Sequence, residues 1–463
     1  MKITVLNGSP KGEQSVTMMH VLYLRKIFPQ HTFEIQHISQ RIQRLEENRE
    51  AFDEVIGVVN IADGVLWATP VYFFTVPSQY KRFIELVNER NAQGAFAGKY
   101  TAALTTSIHF FDHASQNYLQ AISEDLGMKF VESFPAGMSE MMEEKGRKKL
   151  QHFGEHFFHA IETGQPTWRR FAPLQHQTVV YQAGASNQKI QAGKRKVLVL
   201  HDAQPQDQNL IEMVARFRDT FEDPVQVVNI REVDIKGGCL GCLQCGYDNQ
   251  CSYGDRDDFV RFFDEVVRKA DLLVFAGRVH DRNLSSRWKM FLDRSFFRGH
   301  APSLIGKQLG YLISEPLRQN ANLQEIFQAY ALLHRCNPAG MVSDEVSSSS
   351  ELDALIQNLA ENMLQFAQLE YFQPDNFLFV GGNKVFRDDI FGNLRAVFLA
   401  DYRMYQKLGY IDFPTRNWKQ RLMNNAASLA FRIPKIRDGF QRMLKPGMIQ
   451  SHRKVLENIH LEG

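Results

Sequence analysis

Four of the five cysteines in the chain fall within thirteen residues, as Cys239, Cys242, Cys245 and Cys251 in the stretch GGCLGCLQCGYDNQCSYGD. Thiolates are soft ligands that suit iron–sulfur clusters or zinc. The C-x2-C-x2-C run with a nearby fourth cysteine is close to the spacing that holds iron–sulfur clusters, although the last gap is longer and no proline follows it. The spacing favours a 4Fe-4S-type cluster and leaves structural zinc and a metal-free cysteine loop as alternatives.

A second set of residues suits an anion. The apolar run KITVL is followed by a loop of small and hydroxyl residues and then by a helical pattern. Backbone N–H groups and the positive end of the helix would face a phosphate there. The candidate contacts are Ser9, Lys11, Ser15 and Thr17. The loop has neither P-loop nor G-x-G-x-x-G order, which disfavours a nucleoside triphosphate or NAD, and a solvated helix cap is the simpler alternative.

Two further apolar runs, ADGVLWA and TAALTT, end in loops that could hold a flat heteroaromatic ring, because aromatic side chains stack well on such rings. The candidate contacts are Pro70, Val71, Tyr72, Phe73, Phe74, Ser107 and His109. The alternative is that the aromatic residues belong to the core and that His109 is a surface histidine. Three strand ends favour a site. No catalytic acid or base stands out, so the catalytic residues stay unknown.

The elements that would position these loops occur twice. KITVL matches KVLVL, ADGVLWA matches ADLLVFA, and Pro135–Met138 matches Pro338–Met341 in the same order. Short apolar runs alternate with helical patterns in each copy, which predicts two doubly wound parallel sheets of the α/β class. Ligands of such sheets bind beyond the carboxyl ends of the strands. The second copy is 14 residues longer between its first and second blocks, and that interval contains the cysteines.

Composition sets few further limits. The chain has 463 residues, 44% of them hydrophobic, and a net charge of +2, so bulk charge names no partner. It has no signal-peptide core at its start and no apolar run of about eighteen residues, so we expect a cytoplasmic protein. Clustered cysteines argue for a reducing compartment, and Cys336 is predicted to be a buried core thiol.

The first repeat resembles the flavodoxin-like NAD(P)H-dependent FMN reductases, with a G-S-P-K loop at Gly8–Lys11 and a T-P-V-Y loop at Thr69–Tyr72. The second, with its four cysteines, is similar to the iron–sulfur flavoproteins of that superfamily. The resemblance implies FMN, with its phosphate at residues 8–17 and its ring against residues 70–74. It also implies flavin reduction by NAD(P)H or by a protein donor.

The two repeats depart from that family in complementary ways. The second repeat has Asp202 and Asp207 where the first has its phosphate loop, and a carboxylate there would repel a phosphate. The first repeat has no cysteine. Iron–sulfur flavoproteins bring the cluster of one subunit close to the flavin of its neighbour, so the resemblance implies that this fusion keeps one flavin–cluster pair and lacks FMN in the second repeat.

We therefore expect two flavodoxin-like domains, 1–164 and 196–375, a linker at 165–195, and a helical basic C-terminal extension at 376–463. Within that extension, LFVGG at 378–382 is expected to form a strand or a docking segment, and Pro434 and Pro446 are expected to divide the helices. The serine run at 347–350 is expected to be the N-cap region of the last helix in the second domain. Residues 416–454 carry ten Lys or Arg and one acidic residue, interleaved with apolar residues. Such a stretch can contact a membrane surface or an acidic electron carrier, or pack as a helix with a solvated basic face. No nucleic-acid motif accompanies the charge.

The expected function is an FMN-dependent oxidoreductase with a 4Fe-4S-type cluster, which exchanges electrons with NAD(P)H or with a small-molecule or protein carrier. One alternative is a flavin-only NAD(P)H reductase of the quinone or flavin type, with free or zinc-bound cysteines. Another is a non-catalytic electron-transfer adaptor at a membrane. A homo-oligomer is compatible with each, and the physiological substrate does not follow from the sequence.

Overall fold

The structure is a computed structural model that describes residues 1–176, 179–186, 188–409 and 418–459. Contacts divide the chain into two compact units. The first comprises Met1–Pro173, Cys239–Tyr247 and Lys384–Gly463, and the second comprises Leu174–Gly238 and Asp248–Asn383. The segment Cys239–Tyr247 therefore belongs to the first unit in space, although it lies in the second repeat in sequence.

The sheet of the first unit has five parallel strands. They are β1 (Lys2–Asn7), β2 (Thr32–His37), β3 (Gly64–Pro70), β4 (Tyr100–Ser107) and β5 (Lys129–Gly137). Their order is β2-β1-β3-β4-β5, which is the flavodoxin-like order. The helices are α1 (Val16–Ile27), α2 (Ile42–Glu47), α3 (Arg49–Asn60), α4 (Ser78–Glu89), α5 (His113–Asp125) and α6 (Glu144–Thr163).

Both faces of this sheet are buried, as the continuous apolar strands predict. Successive side chains of a strand point to opposite faces. Val65 and Trp67 of β3 accordingly lie in one hydrophobic cluster, where Trp67 stacks on Phe96 with ring centroids 5.9 Å apart. Leu66 and Ala68 lie in the cluster on the other face. The two layers fix the positions of the strand ends that carry the predicted loops.

The second unit repeats this design. Its strands are β6 (Val197–His201), β7 (Gln226–Asn229), β8 (Leu272–Arg278), β9 (Gln308–Ser314) and β10 (Asn337–Ser343). They are parallel and lie in the order β7-β6-β8-β9-β10, the same flavodoxin-like order. The helices are α7 (Gln208–Asp219), α9 (Phe259–Glu265), α10 (Ser286–Ser295), α11 (Ala321–Leu333) and α12 (Ser349–Gln368), and a single turn α8 (Cys245–Asp248) ends the cysteine segment. The duplication and the fold class are confirmed.

The C-terminal region is helical, as predicted, with α13 (Phe377–Phe391), α14 (Leu399–Lys407), α15 (Trp418–Ala430) and α16 (Pro434–Glu457). The sequence LFVGG at 378–382 was expected to form a strand or a docking segment, and the strand is wrong. Phe379, Phe386 and Ile390 are buried at helical spacing, so packing overrides the local preference of the glycines. Arg416, at the start of the predicted basic surface, lies outside the described residues.

Helix α16 runs through Pro446, which was expected to divide two helices. A proline inside a helix removes one backbone hydrogen bond. The turn beyond it is nevertheless held, because Ile449 lies in the core with α1 and His452 is buried with its ring centroid 5.8 Å from that of His20. Lys26 of α1 also donates to the carbonyl of Leu456. The last helix is thus an integral part of the first unit.

Two smaller predictions are confirmed. Cys336 is buried, and burial raises the pKa of its thiol to about 12. Ser348 in the serine run caps α12, with its hydroxyl accepting from the N–H of Glu351 at 3.2 Å. Among the described residues, no helix combines the length and the apolar character needed to cross a membrane.

Candidate functional site

The predicted contact residues of the first repeat lie on three loops that follow β1, β3 and β4. In this strand order the chain reverses direction of winding between β1 and β3, and FMN binds at that point in flavodoxin-like sheets. The loop of residues 8–15 follows β1, the loop of residues 71–77 follows β3, and the loop of residues 108–112 follows β4. The parallel strands bring the three loops to one edge of the sheet.

The loop after β1 is held by its own side chains. The N–H of Ser9 donates to Asn7 Oδ1 at 2.9 Å, and the N–H of Lys11 donates to Ser9 Oγ at 3.2 Å. In the described part of the chain no acceptor takes the hydroxyl hydrogen of Ser9. A side chain at Gly8 would lie 2.7 Å from Thr69 Oγ1, so only glycine allows this approach of loop and strand.

The start of α1 supplies further donors. Ser15 caps the helix, since its Oγ accepts from the N–H of Met18 at 3.2 Å and donates to the carbonyl of Gly12 at 2.9 Å. The first N–H groups of a helix have no partner within it, so those of Val16 and Thr17 remain for an anion. The Thr17 hydroxyl lies beneath, fully buried, 2.6 Å from Thr106 Oγ1. Ser15 and Thr17 shape the loop, while Ser9 and the amides offer donors.

The C-terminal helix meets the same loop. Lys11 Nζ lies 3.6 Å from the sulfur of Met448, which is only a weak acceptor. Burial lowers the pKa of Lys11, the charge of Lys445 lowers it further, and the thiols of Cys242 and Cys239 oppose the shift. Two lysines beside one loop repel each other unless an anion lies nearby. The arrangement therefore suits a phosphate group.

The loop after β3 contains a tight turn. Tyr72 and Thr75 exchange backbone hydrogen bonds of 2.8 and 3.2 Å, and the two residues between them are in the left-handed region, with φ of 42° at Phe73 and 74° at Phe74. Bulky residues rarely adopt these angles, so the turn is strained, and such strain is concentrated at ligand sites. Phe74 is buried in an aromatic cluster. Pro70 ends β3, and the N–H of Val71 donates to the carbonyl of Thr106 at 3.0 Å.

The loop after β4 orients a histidine. His109 has φ of 61°, and its Nδ1 lies 2.8 Å from Asp112 Oδ2, which also accepts from Ser107 Oγ at 3.0 Å. The hydrogen bond with Asp112 raises the pKa of His109. Burial opposes ionisation of Asp112, but the bonds from His109 and Ser107 keep the pKa of that carboxyl below its usual value. A half-exposed imidazole held this way presents Nε2 as a donor.

The cysteine segment lies against these loops. The side chain of Gln79 on α4 donates to the carbonyl of Cys239 at 3.2 Å. Gly241 has φ of 61°, and a Cβ there would lie 1.8 Å from the hydroxyl oxygen of Tyr72 and 3.3 Å from Lys11 Cε. At the other end, the hydroxyl of Tyr247 donates to the carbonyl of Phe431. Cys239, Cys242 and Cys245 are therefore held in the first unit, beside the predicted flavin loops.

The cysteines do not form a metal site as they are placed. Within the ranges that the structure describes, no group of three or more His, Cys, Asp or Glu side chains could hold a metal ion. Cys251 belongs to the second unit, where its carbonyl accepts from the N–H of Gly254 at 2.9 Å. The donor types and their spacing suit a cluster, whereas the described side-chain positions do not bring three such donors to one point.

The matching loop of the second repeat is built differently. Asp202 is buried and accepts from the hydroxyl of Ser285, and burial raises the pKa of Asp202 to about 6. Asp207 accepts from the N–H of Gln204 at 2.8 Å and lies 3.2 Å from Arg278. Carboxylates thus stand where the first repeat offers a hydroxyl and free amides. Carboxylates at this place would repel a phosphate, and the absence of FMN from the second repeat stays a prediction.

Comparison with known proteins finds a family match over the part of the chain that carries these loops. The family model for NADPH-dependent FMN reductase matches residues 1–140, which contain all three loops. Residues 1–140 are therefore similar to this family. The match confirms, for residues 1–140, the resemblance found in the sequence.

Individual relatives cover parts of the chain. An iron–sulfur flavoprotein of Archaeoglobus fulgidus is 31% identical over 75 residues, which make up 16% of this chain and 33% of that protein. The chain thus matches only a third of the length of this curated relative. The solved structure of FerB from Paracoccus denitrificans, a flavoenzyme NAD(P)H:(acceptor) oxidoreductase, is 22% identical, covers 35% of this chain and 97% of its own, and has a TM-score of 0.30. General stress protein 14 of Treponema denticola, solved with FMN, is 13% identical, with coverages of 35% and 99% and a TM-score of 0.27.

Several residues of the site were not predicted. Asn7 and Asp112 hold two of the loops, and both carry a local signal, since each is a polar residue within three positions of a predicted contact. Gln79, Lys445 and Met448 have no such signal. They reach the site from α4 and α16 through packing between distant parts of the chain.

Proposed function

We propose that the chain is an FMN-dependent NAD(P)H oxidoreductase whose flavin binds at the carboxyl ends of β1, β3 and β4. The observation that carries this proposal is the convergence of a donor-rich loop at a helix start with a strained aromatic turn, in the region matched by the reductase family. Bound FMN would supply the acceptance and release of a hydride or electrons. The remaining chemistry is binding, orientation and proton placement by the chain.

Three groups of residues would bind the phosphate, position the ring and place a proton donor. Ser9 Oγ–H, the amides of Val16 and Thr17, and the ammonium of Lys11 would hold the phosphate. The turn at residues 70–74 would fix the ring by packing and by its backbone groups. His109, oriented by Asp112, would donate from Nε2 to the ring and stabilise negative charge that develops there.

Anaerobic reduction tests the proposed activity. We expect the protein, loaded with FMN, to lose the visible absorbance of its oxidised flavin when NADH or NADPH is added without oxygen. A chain that binds FMN and is reduced by neither nucleotide would contradict the reductase proposal. That result would instead favour a non-catalytic electron-transfer adaptor, to which a protein carrier supplies the electrons.

We propose second that Cys239, Cys242, Cys245 and Cys251 bind a 4Fe-4S-type cluster. The support is their spacing, the similarity of part of the chain to the Archaeoglobus iron–sulfur flavoprotein, and the contact of Cys239–Tyr247 with the predicted flavin loops. No three of these side chains are described in positions that could hold a metal ion. The cysteine segment would therefore have to change conformation when a cluster assembles. No electron path through the cluster follows from the present geometry.

Metal and sulfide analysis of anaerobically purified protein tests the second proposal. Iron and acid-labile sulfide in equal amounts, lost in a Cys242→Ser variant that still binds FMN, would support the cluster. Zinc without sulfide would contradict it and favour a structural site, and flavin without any metal would favour the flavin-only reductase.

A further inference from the structure

The outer face of α15 carries a stripe of large apolar side chains. Trp418, Leu422 and Leu429 are 66%, 62% and 59% exposed. At 100° per residue, these three positions fall within about 40° of one another around the helix. Apolar residues on one helix face normally point into the core. Here the stripe points away from it.

The opposite face of α15 holds the helix in place. Asn424 is buried, and its side chain donates to the carbonyl of Gly392 at 2.6 Å. Phe431, just past the helix, is buried with its ring centroid 4.5 Å from that of Phe440 on α16. The orientation of α15 is therefore fixed by packing, and the exposure of the stripe is not the result of a loose helix.

Basic residues flank the stripe on both sides. Lys419 and Arg421 lie about 60–100° from its centre in opposite directions around α15. Exposed apolar residues also occur at and beyond the start of α16, as Ile433, Ile436 and Met443. Between residues 418 and 443 the basic residues are Lys419, Arg421, Arg432, Lys435, Arg437 and Arg442, against a single acidic residue, Asp438.

We propose that the face formed by α15 and the first half of α16, residues 418–443, lies on an anionic lipid bilayer. Tryptophan, leucine and methionine can enter the headgroup boundary, while flanking lysines and arginines pair with anionic headgroups. An acidic protein partner would also attract the charge. A bilayer is the better match, because the stripe is the convex outer face of a helix, whereas peptide partners are usually bound in a groove or along a strand edge.

Flotation of vesicles with the full-length, FMN-loaded protein tests this proposal. We expect the chain to float with vesicles of phosphatidylcholine and phosphatidylglycerol and not with phosphatidylcholine alone. The triple variant Trp418→Ser, Leu422→Ser, Leu429→Ser should weaken binding by at least about tenfold, since three apolar side chains lose their insertion. Lys419→Gln with Arg421→Gln should weaken it about thirtyfold, since two basic residues are lost at roughly 1 kcal/mol each.

The matched control is Ile61→Ser, because Ile61 is 63% exposed just after α3, outside this surface. This control should float like the parent. Bound FMN and circular dichroism show whether each variant is folded. No flotation of the parent chain, or flotation that the triple variant retains, would overturn the proposal. So would a dimer of the parent in light scattering that becomes a monomer in the triple variant without any vesicle binding, since the stripe would then join two copies.

Discussion

At the scale of single residues, the candidate site depends on a few side chains that act on their neighbours. Asn7 fixes the amide of Ser9, Asp112 fixes the ring of His109, and Gly241 lets the cysteine segment approach Tyr72. The sequence shows the residue types of the two loops, so Ser9 and His109 could be named in advance. It does not show that Gly241 lies against Tyr72, because that contact joins residues 169 positions apart.

The His109–Asp112 pair gives a pH dependence of stability. Because the pKa of His109 is raised above 6.5, its stabilising charge is fully present below about pH 6.5 and is lost as the pH rises through the raised value. Because the pKa of Asp112 is lowered from 3.8, its contribution is present above about pH 4 and is lost as the pH falls. His109→Gln should therefore lower the free energy of unfolding more at pH 5.5 than at pH 8.5, pH values chosen roughly on either side of the titration.

Urea unfolding at the two pH values measures this difference. His159→Gln, an exposed histidine on α6, is the control and should show no such contrast. An equal effect of His109→Gln at both pH values would mean that the histidine is not charged in the folded protein.

Gly241→Ala tests the contact between the cysteine segment and Tyr72. The added methyl would lie 1.8 Å from the Tyr72 hydroxyl, so the segment or the tyrosine must move. Gly98→Ala is the matched control, since Gly98 also has positive φ, of 78°, but has nothing within 4 Å of an added Cβ. We expect Gly241→Ala to destabilise the first unit by about 1–3 kcal/mol more than Gly98→Ala and to weaken FMN binding. Equal thermal melting and equal FMN affinity of the two variants would contradict the described contact.

At the scale of elements, the two repeats and their strand order could be predicted, because short apolar runs alternate with helical patterns. The C-terminal helices could not be predicted in detail. The strand expected at 378–382 and the break expected at Pro446 both followed local preference, and burial of Phe386, Ile390 and Ile449 overrides it. Helix α16 was expected only as a basic extension, whereas it packs on α1 and reaches the phosphate loop.

The contact of α16 with that loop predicts a role for Lys445 in phosphate binding. Lys445→Gln should weaken the binding of FMN by about two- to fivefold, the effect of one exposed charge near an anion, and should leave the binding of riboflavin unchanged because riboflavin lacks the phosphate. Lys435→Gln, an exposed lysine at the start of α16, should alter neither. Flavin fluorescence titrations measure both affinities. An equal loss for FMN and riboflavin would assign Lys445 a structural role instead.

At the scale of the whole molecule, the chain is two flavodoxin-like sheets with unequal sites. The first repeat has the donors that suit a phosphate, and the second has buried carboxylates at the same place. The four cysteines lie in the second repeat of the sequence. The segment Cys239–Tyr247, which contains three of them, packs with the first unit. The repeat pattern predicts the duplication, and it predicts that the phosphate-type loop lies in one repeat and the cysteine loop in the other. The assignment of Cys239–Tyr247 to the first unit depends on packing between segments that are distant in the sequence.

The central claim is that the chain binds one FMN, in its first repeat. The direct measurement is the FMN-to-protein ratio and dissociation constant by fluorescence titration of the parent chain, of Ser9→Ala with Lys11→Gln, and of Gln206→Ala in the matching loop of the second repeat. We predict one FMN per chain, lost in the Ser9/Lys11 variant and kept in Gln206→Ala. Two FMN per chain, none, or full retention by the Ser9/Lys11 variant would contradict the claim.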